Sequence, residues 1–255
     1  MAPDRVSFSR DGAIARIRFT NAAGRNAIDL RFCEAFRAAA AAADAARDVA
    51  VILLTADGDM FSVGGDIREF VAEKVRVEDH VRAMTAALHE GVLRLQRAPA
   101  PVIAAVGGVA AGAGFSLVCG ADLVLAGRSA RFTSAYTRSG LTPDGGGTWF
   151  LPRIVGFRRA FALMALNPVL SADEAMALGI VTRVVDDAAL ADEAEATAQQ
   201  LAKLPPGGIA GLKRLLRASR EAGLADQLDA EADSIASLIA TPSTMAQLEA
   251  FFAKR

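Results

Sequence analysis

The chain has 255 residues and a mass of 26.5 kDa, with 53% hydrophobic and 22% charged residues. Those proportions exclude an intrinsically disordered chain and suit one large domain, or one domain with a smaller appendage. A formal net charge of −1 and a pI of about 6.2 exclude the overall basic field that draws proteins to nucleic acid or anionic lipid.

The opening stretch MAPDRVSFSRDG is too charged to hold the apolar centre of a signal peptide, so a cytoplasmic location is expected. VSFSRDG and AIARIRFTN read as a hairpin turning at Asp11-Gly12. RFCEAFRAAAAAADAARD reads as a long helix, VAVILLTADG as a buried strand, and Ile67 to Gln96 as mostly helical. PVIAAV is a further strand, and Ala110 to Cys119 is expected to form a short, glycine-permissive helix. From Ala98 to Ala121 no residue is charged, a length that would nominally span a bilayer. Pro99, Pro101 and the glycines within it favour a strand, a turn and a packed helix in a protein core instead. DLVLAG and RFTSA continue the strand-and-turn rhythm.

Beyond Thr148 the pattern turns helical. FRRAFALMAL, SADEAMALG (N-capped by Ser171) and ALADEAEATAQQLAKL are helices, interrupted by the strand VTRVV. Helix continues from Gly211 onward, with Pro205-Pro206 and Pro242 expected as breaks. Alternating strands and helices followed by helix alone predict a layered α/β core over residues 1–195 and a helical region over 196–255. The two cysteines, Cys33 and Cys119, lack CxxC spacing and a neighbouring histidine, which predicts reduced, buried thiols and no metal site. His80 and His89 fall in a polar helical stretch and read as part of a solvated face, and Trp149 reads as core.

Three stretches carry unusual local chemistry: FSVGGDI (Phe61 to Ile67), GGVAAGAGFSL (Gly107 to Leu117) and TPDGGGT (Thr142 to Thr148). Glycines between a strand and a helix permit positive φ and close approach of a ligand, and the following helix aims free N–H groups at it. Two such stations facing each other would make an oxyanion hole. Neither of the first two fits the Walker pattern with its terminal Lys and Ser/Thr. Pro143-Asp144-Gly145 read in isolation is a turn; beside two oxyanion stations Asp144 becomes a candidate acid/base.

Together these stretches resemble the crotonase, or enoyl-CoA hydratase/isomerase, superfamily over nearly the whole chain. RNAIDL is similar to its early coenzyme A-binding stretch, FSVGGDI to its first oxyanion motif, and AAVGGVAAGAGFSLVCGADL to its second. SGLTPDGGGTWFLPRIVG is similar to its third motif, above all in ring-epoxide phenylacetyl-CoA isomerases and enoyl-CoA isomerases. SADEAMALGIVTRVV resembles the passage that follows. The resemblance implies a spiral of ββα turns with a C-terminal α-helical trimerisation region, assembled as a homotrimer or dimer of trimers. It implies an acyl-CoA thioester as substrate, no cofactor beyond the coenzyme A moiety, and no nucleic-acid or membrane partner.

Carried over by position, the resemblance makes the amides of Gly65 and Ala113 the oxyanion donors, each contributing roughly 3–4 kcal/mol to a developing enolate. It sets Arg25, Ala27, Gly64, Asp66 and Gly112 along the coenzyme A thioester and Ile67 in the acyl channel, whose wall is expected from the helix after Asp66. Phe251 and Lys254 match an aromatic residue and a lysine that reach a neighbouring subunit's adenine and phosphate. Hydratases of the family carry glutamates where this chain has Ser116 and Tyr136, which are therefore expected as pocket residues. The implied activity is an isomerisation with Asp144 moving one proton. Hydration or another chemistry of the family, and a catalytically silent CoA-thioester-binding subunit, are the alternatives.

Overall fold

The structure, a computed structural model, describes residues 5–46 and 48–253. β1 (Val6–Asp11) and β2 (Ile14–Phe19) form the expected hairpin, pairing antiparallel from Val6/Phe19 to Asp11/Ile14. α1 (Leu30–Ala45) starts at Asp29, whose side chain accepts the Phe32 N–H at 2.7 Å, and stops at Ala45, short of the predicted end.

Three turns of one pattern follow. β3 (Val51–Ala56) leads through a three-residue link to β4 (Met60–Ser62) and then to α2 (Ile67–Ala72) and α3 (Val77–Arg97). β5 (Val102–Val106) leads to β6 (Val109–Ala111) and α4 (Ala113–Gly120). β7 (Leu123–Gly127) leads to β8 (Arg131–Thr133), a long loop, α5 (Gly147–Val155) and α6 (Phe157–Leu166). Then come β9 (Leu170–Ser171), α7 (Ala172–Ala177), β10 (Arg183–Val185), α8 (Leu190–Ala202), α9 (Pro206–Ala218), α10 (Leu224–Ile239) and α11 (Pro242–Ala253).

The first strand of each turn joins a six-stranded sheet in the order β1-β2-β3-β5-β7-β10, and the second joins a four-stranded sheet in the order β4-β6-β8-β9. Successive turns pair parallel in both sheets. The chain is therefore a spiral of ββα turns. Stacking in register brings the segments that leave β4, β6 and β8 side by side, and these are the three glycine-bearing stretches.

Strand alternation builds a core on each face of the larger sheet. Ile52, Leu54, Ala104, Val106 and Val124 face α1, α3 and α4, where Phe19, Phe32, Phe36 and Phe61 pack with ring centroids 4.7 to 6.3 Å apart. Val51, Leu53, Ile103 and Leu125 face α8, meeting its Ala194 and Ala198. A division after residue 195 thus falls inside a helix that packs on the sheet.

One local expectation is corrected. Ala110 and Ala111, expected as the start of a helix, instead end β6 (Val109–Ala111), because this strand pairs with both β4 and β8; the helix begins only after Gly112 turns the chain at φ 54°. The breaks expected at Pro205-Pro206 and Pro242 fall between helices, and Pro206 and Pro242 open the helices that follow, since the first helical position needs no N–H donor. No helix among the described residues is long and apolar enough to cross a membrane.

Candidate active site

Ser62, Asn26 and Ile28 tie the early stretch RNAIDL to the first glycine station. The Ser62 hydroxyl donates to the Asn26 carbonyl at 2.8 Å and accepts the Gly64 N–H at 3.1 Å. Asn26 Nδ2 donates to the Asp57 and Met60 carbonyls at 2.9 and 2.7 Å. The Ile28 N–H donates to the Gly64 carbonyl at 2.8 Å and the Asp66 N–H to the Ile28 carbonyl at 3.0 Å. This is a parallel bridge centred on Gly65, so the N–H and C=O of Gly65 itself point away from residue 28.

The first and second stations abut through their main chains. A Cβ on Gly64, whose φ is 87°, would sit 2.9 Å from the Ala111 carbonyl oxygen and 3.2 Å from the Gly112 Cα. A Cβ on Gly112 would sit 3.4 Å from the Gly64 Cα. Only glycine permits both this conformation and this approach. The residues immediately after the two contacts are Gly65 and Ala113. Ala113 opens α4, so its N–H has no partner one turn back and carries the positive end of the helix dipole.

Beside this junction lies a cavity of about 410 Å³. Its apolar wall includes Ile28, Val63, Phe70, Val77, Met84 and Leu88, drawn largely from α2 and α3, where the acyl pocket was expected. Asp144 is the one carboxylate among the described residues lining it.

The run of glycines after Asp144 is explained by what surrounds it. Gly145 and Gly146 adopt φ 60° and 85°, and a Cβ on Gly147 would lie 2.5 Å from Ser116 Oγ. The Gly145 N–H donates to His89 Nε2 at 3.1 Å. His89 is exposed, as read from the sequence, yet it pins the loop that carries the acid; that role leaves no local signal, because donor and acceptor are 56 residues apart. His80 is half-buried, with Nε2 3.4 Å from Glu69 Oε1, which corrects its reading as a solvated residue.

Tyr136 donates its phenolic hydrogen to Asp144 Oδ1. Burial, and after it the negative charge of Asp144, push the phenol well above its ordinary pKa, so it stays protonated and a donor. The Ser116 hydroxyl, on α4, is buried, and it acts to lower the Tyr136 pKa against those two larger effects. The Cys33 thiol also lines the cavity and is held strongly protonated by burial and then by Asp144. Trp149, expected in the core, is half-buried on α5, with the Arg153 and Arg220 guanidinium groups 4.2 and 4.7 Å from its ring centre.

Of the residues expected at the site, Gly64, Gly65, Ile67, Gly112, Ala113, Tyr136 and Asp144 line this one cavity. Ser116 stands behind Tyr136. Ala27 is buried without lining the cavity, and Arg25 is exposed outside it. The Asp66 carboxylate caps α2 through the Arg68 N–H and pairs with the Arg68 side chain, which holds it below its ordinary pKa. Phe251 is exposed on α11, and Lys254 lies outside the described residues. Among the described residues no three His, Cys, Asp or Glu side chains cluster to hold a metal ion.

The family model for enoyl-CoA hydratase/isomerase matches residues 9–255. The chain is 41% identical over 183 residues to 1,2-epoxyphenylacetyl-CoA isomerase of Escherichia coli (strain K12), covering 71% of this chain and 70% of that protein. It is 31% identical to 4-chlorobenzoyl coenzyme A dehalogenase-2 of Arthrobacter sp, covering 78% of this chain and 73% of that one. A solved structure of an enoyl-CoA hydratase from Polaromonas sp. JS666 superimposes with a TM-score of 0.92 at 30% identity, covering 98% of this chain and 97% of that one. Motif order, spiral fold and these matches agree: the chain belongs to the enoyl-CoA hydratase/isomerase family, the crotonase superfamily.

Proposed function

We propose that this protein is an acyl-CoA isomerase that shifts a double bond, or rearranges a ring, in an enoyl-CoA-type thioester. The observation that carries this reading is the single carboxylate: Asp144 lines the cavity beside the abutting glycine stations, its Oδ1 accepting from a phenol. Adding water across a double bond calls for groups that hold and deprotonate the water as well as protonate carbon. Moving a proton between two carbons needs one base that becomes one acid.

In this mechanism the thioester carbonyl accepts the Gly65 and Ala113 N–H groups. Asp144 takes a proton from the carbon next to the carbonyl, and the electron pair of that C–H bond delocalises onto the oxygen as an enolate. The two amides and the N-terminus of α4 stabilise this charge. Asp144 then delivers the proton to the far carbon of the conjugated system. Atoms and electrons balance without an added redox partner.

Coenzyme A is proposed to run past Arg25 and Ala27 toward the rim at Gly64, Asp66 and Gly112, with Ile67 along the acyl channel. Ile67 is 59% exposed at the cavity edge, which supports a place in contact with ligand. Assembly as a trimer or dimer of trimers is supported by the apolar residues left exposed on α6 and α10, such as Phe157, Phe161 and Ile235. Phe251 and Lys254 would then approach a neighbouring subunit's nucleotide.

The test is Asp144→Asn, assayed with 3-enoyl-CoA and 2-enoyl-CoA in deuterated water. Wild type is expected to interconvert the two and to exchange the α-proton. The variant is expected to bind both thioesters but lose exchange by about 10²–10⁴-fold. Exchange at the wild-type rate in the variant, or hydration of 2-enoyl-CoA without any double-bond shift by wild type, would overturn the reading.

A further inference from the structure

We propose that Tyr136 is the positioning residue for Asp144: its hydroxyl occupies Oδ1, so that Oδ2 alone meets the substrate and a share of the abstracted protons is given back before exchange with solvent. This inference rests on the isomerase reading above and adds a role that a pocket-lining phenol would not have.

Three observations converge on it. Tyr136 and Asp144 are joined directly, phenol hydrogen to carboxylate oxygen, and both line the cavity. They are also joined through the main chain, because the Tyr136 carbonyl accepts the Ser139 N–H at 2.9 Å and the Leu141 N–H at 3.2 Å, holding the loop that leads to Asp144. Finally, Ala135, just before Tyr136, adopts φ 61°, a left-handed conformation uncommon for a residue with a side chain. Ala135 and Tyr136 both border the cavity, so this backbone cost falls where it turns the phenol inward.

The chemical consequence follows from the two oxygens of a carboxylate. With both free, a water hydrogen-bonded to one would offer the abstracted proton a route to solvent, and the side chain would sample several rotamers. With Oδ1 held by a phenol that remains protonated, that route is narrowed and one rotamer is kept. The Ser116 hydroxyl near the phenol is buried at 2% exposure and packs against Gly147. The arrangement selects for carrying one proton between two carbons within a single encounter.

The experiment uses 3-enoyl-CoA deuterated at C2 and measures how much deuterium appears at C4 of the 2-enoyl product and how much is lost to water. Wild type is expected to carry a measurable share of label to C4. Tyr136→Phe removes one oxygen atom, and its folding is checked by thermal unfolding. Its kcat is expected to fall about 10- to 100-fold, with KM within about threefold of wild type and the label at C4 lost to water. Ser116→Ala, one step further from the acid, is expected to shift both quantities in the same direction by less. An unchanged kcat and label share in Tyr136→Phe would overturn the inference, as would a slower variant whose label share is intact, which marks a merely structural role. Complete loss of label to water by wild type would overturn it while leaving the isomerase reading standing. Failure of wild type to move the double bond at all would remove that reading and this inference with it.

Discussion

Asp144 could be picked out in the sequence because the backbone around it is distorted, and distortion leaves glycines behind. The residues that serve it could not. Tyr136 is eight positions away and Ser116 sits on a different helix, so neither pairing has a periodicity to reveal it. Ser116 and Tyr136 were recognisable as pocket positions by resemblance, but the hydrogen bond that ties the phenol to the acid depends on the folded course of the irregular loop between β8 and α5. Cysteines gave a cleaner signal, since apolar neighbours predict burial and burial dictates chemistry. Cys119, buried on α4, is pushed up to about 12 by desolvation, against an ordinary value near 9.0. An unfolded chain therefore releases that proton from about pH 9 while the folded chain retains it, so the stabilisation is complete below pH 9 and is lost as pH rises toward 12. In urea unfolding between pH 8 and 11, Cys119→Ala is expected to lose stability less steeply than wild type, the difference approaching about 1.4 kcal/mol per pH unit above pH 9. Parallel stability curves for the two proteins would contradict this.

Elements were legible where their pattern was long. α1, α3, β3 and β5 were readable from apolar runs, whereas β4 and β6 span three residues each, too few for alternation to register. That is why Ala110 and Ala111 were read as helix: GVAAGAG has no strand signature until a partner lies on both sides. The C-terminal helices show the reverse, an element whose pattern was plain but whose attachment was hidden. α9 is fastened to the core by Lys213, which is 7% exposed and donates to the Leu95 and Ala100 carbonyls, each at 2.8 Å, while facing Asp122 Oδ2 at 3.1 Å. Asp122 also accepts from Arg217 at 2.5 Å and from the Val102 N–H at 2.8 Å. Burial holds the Lys213 ammonium below its ordinary pKa even with Asp122 beside it, so the charge is costly to bury and costlier to leave half-answered. Lys213→Met keeps the apolar stem and strips the two carbonyls of this donor and Asp122 of one of its partners. It is expected to destabilise the chain by about 3 kcal/mol in urea unfolding. A change below about 0.5 kcal/mol would show that Lys213 does not fasten α9.

At the scale of the whole molecule, the spiral turns distant sequence into a site. Each turn contributes one segment leaving a short strand, and parallel stacking sets the three segments next to one another: Gly64-Gly65, Gly112-Ala113, and the loop from Tyr136 to Asp144. Motif order made the family readable from sequence, and the fold explains why that order has to hold, since each motif must arrive one turn after the last. The acyl group stayed hidden because its cavity wall is assembled from apolar residues on α2 and α3 whose sizes matter only together. The account depends most on the amide of Ala113 as an oxyanion donor, and Ala113→Pro tests it directly. Proline is well accommodated at the first position of a helix, where it removes the N–H and little else. Measured as α-proton exchange of a bound acyl-CoA in deuterated water, with Ala113→Gly as the control that keeps the amide, the proline variant is expected to slow by about 10²–10³-fold while the glycine variant stays near wild type. Exchange at the wild-type rate in a folded Ala113→Pro protein would contradict the account.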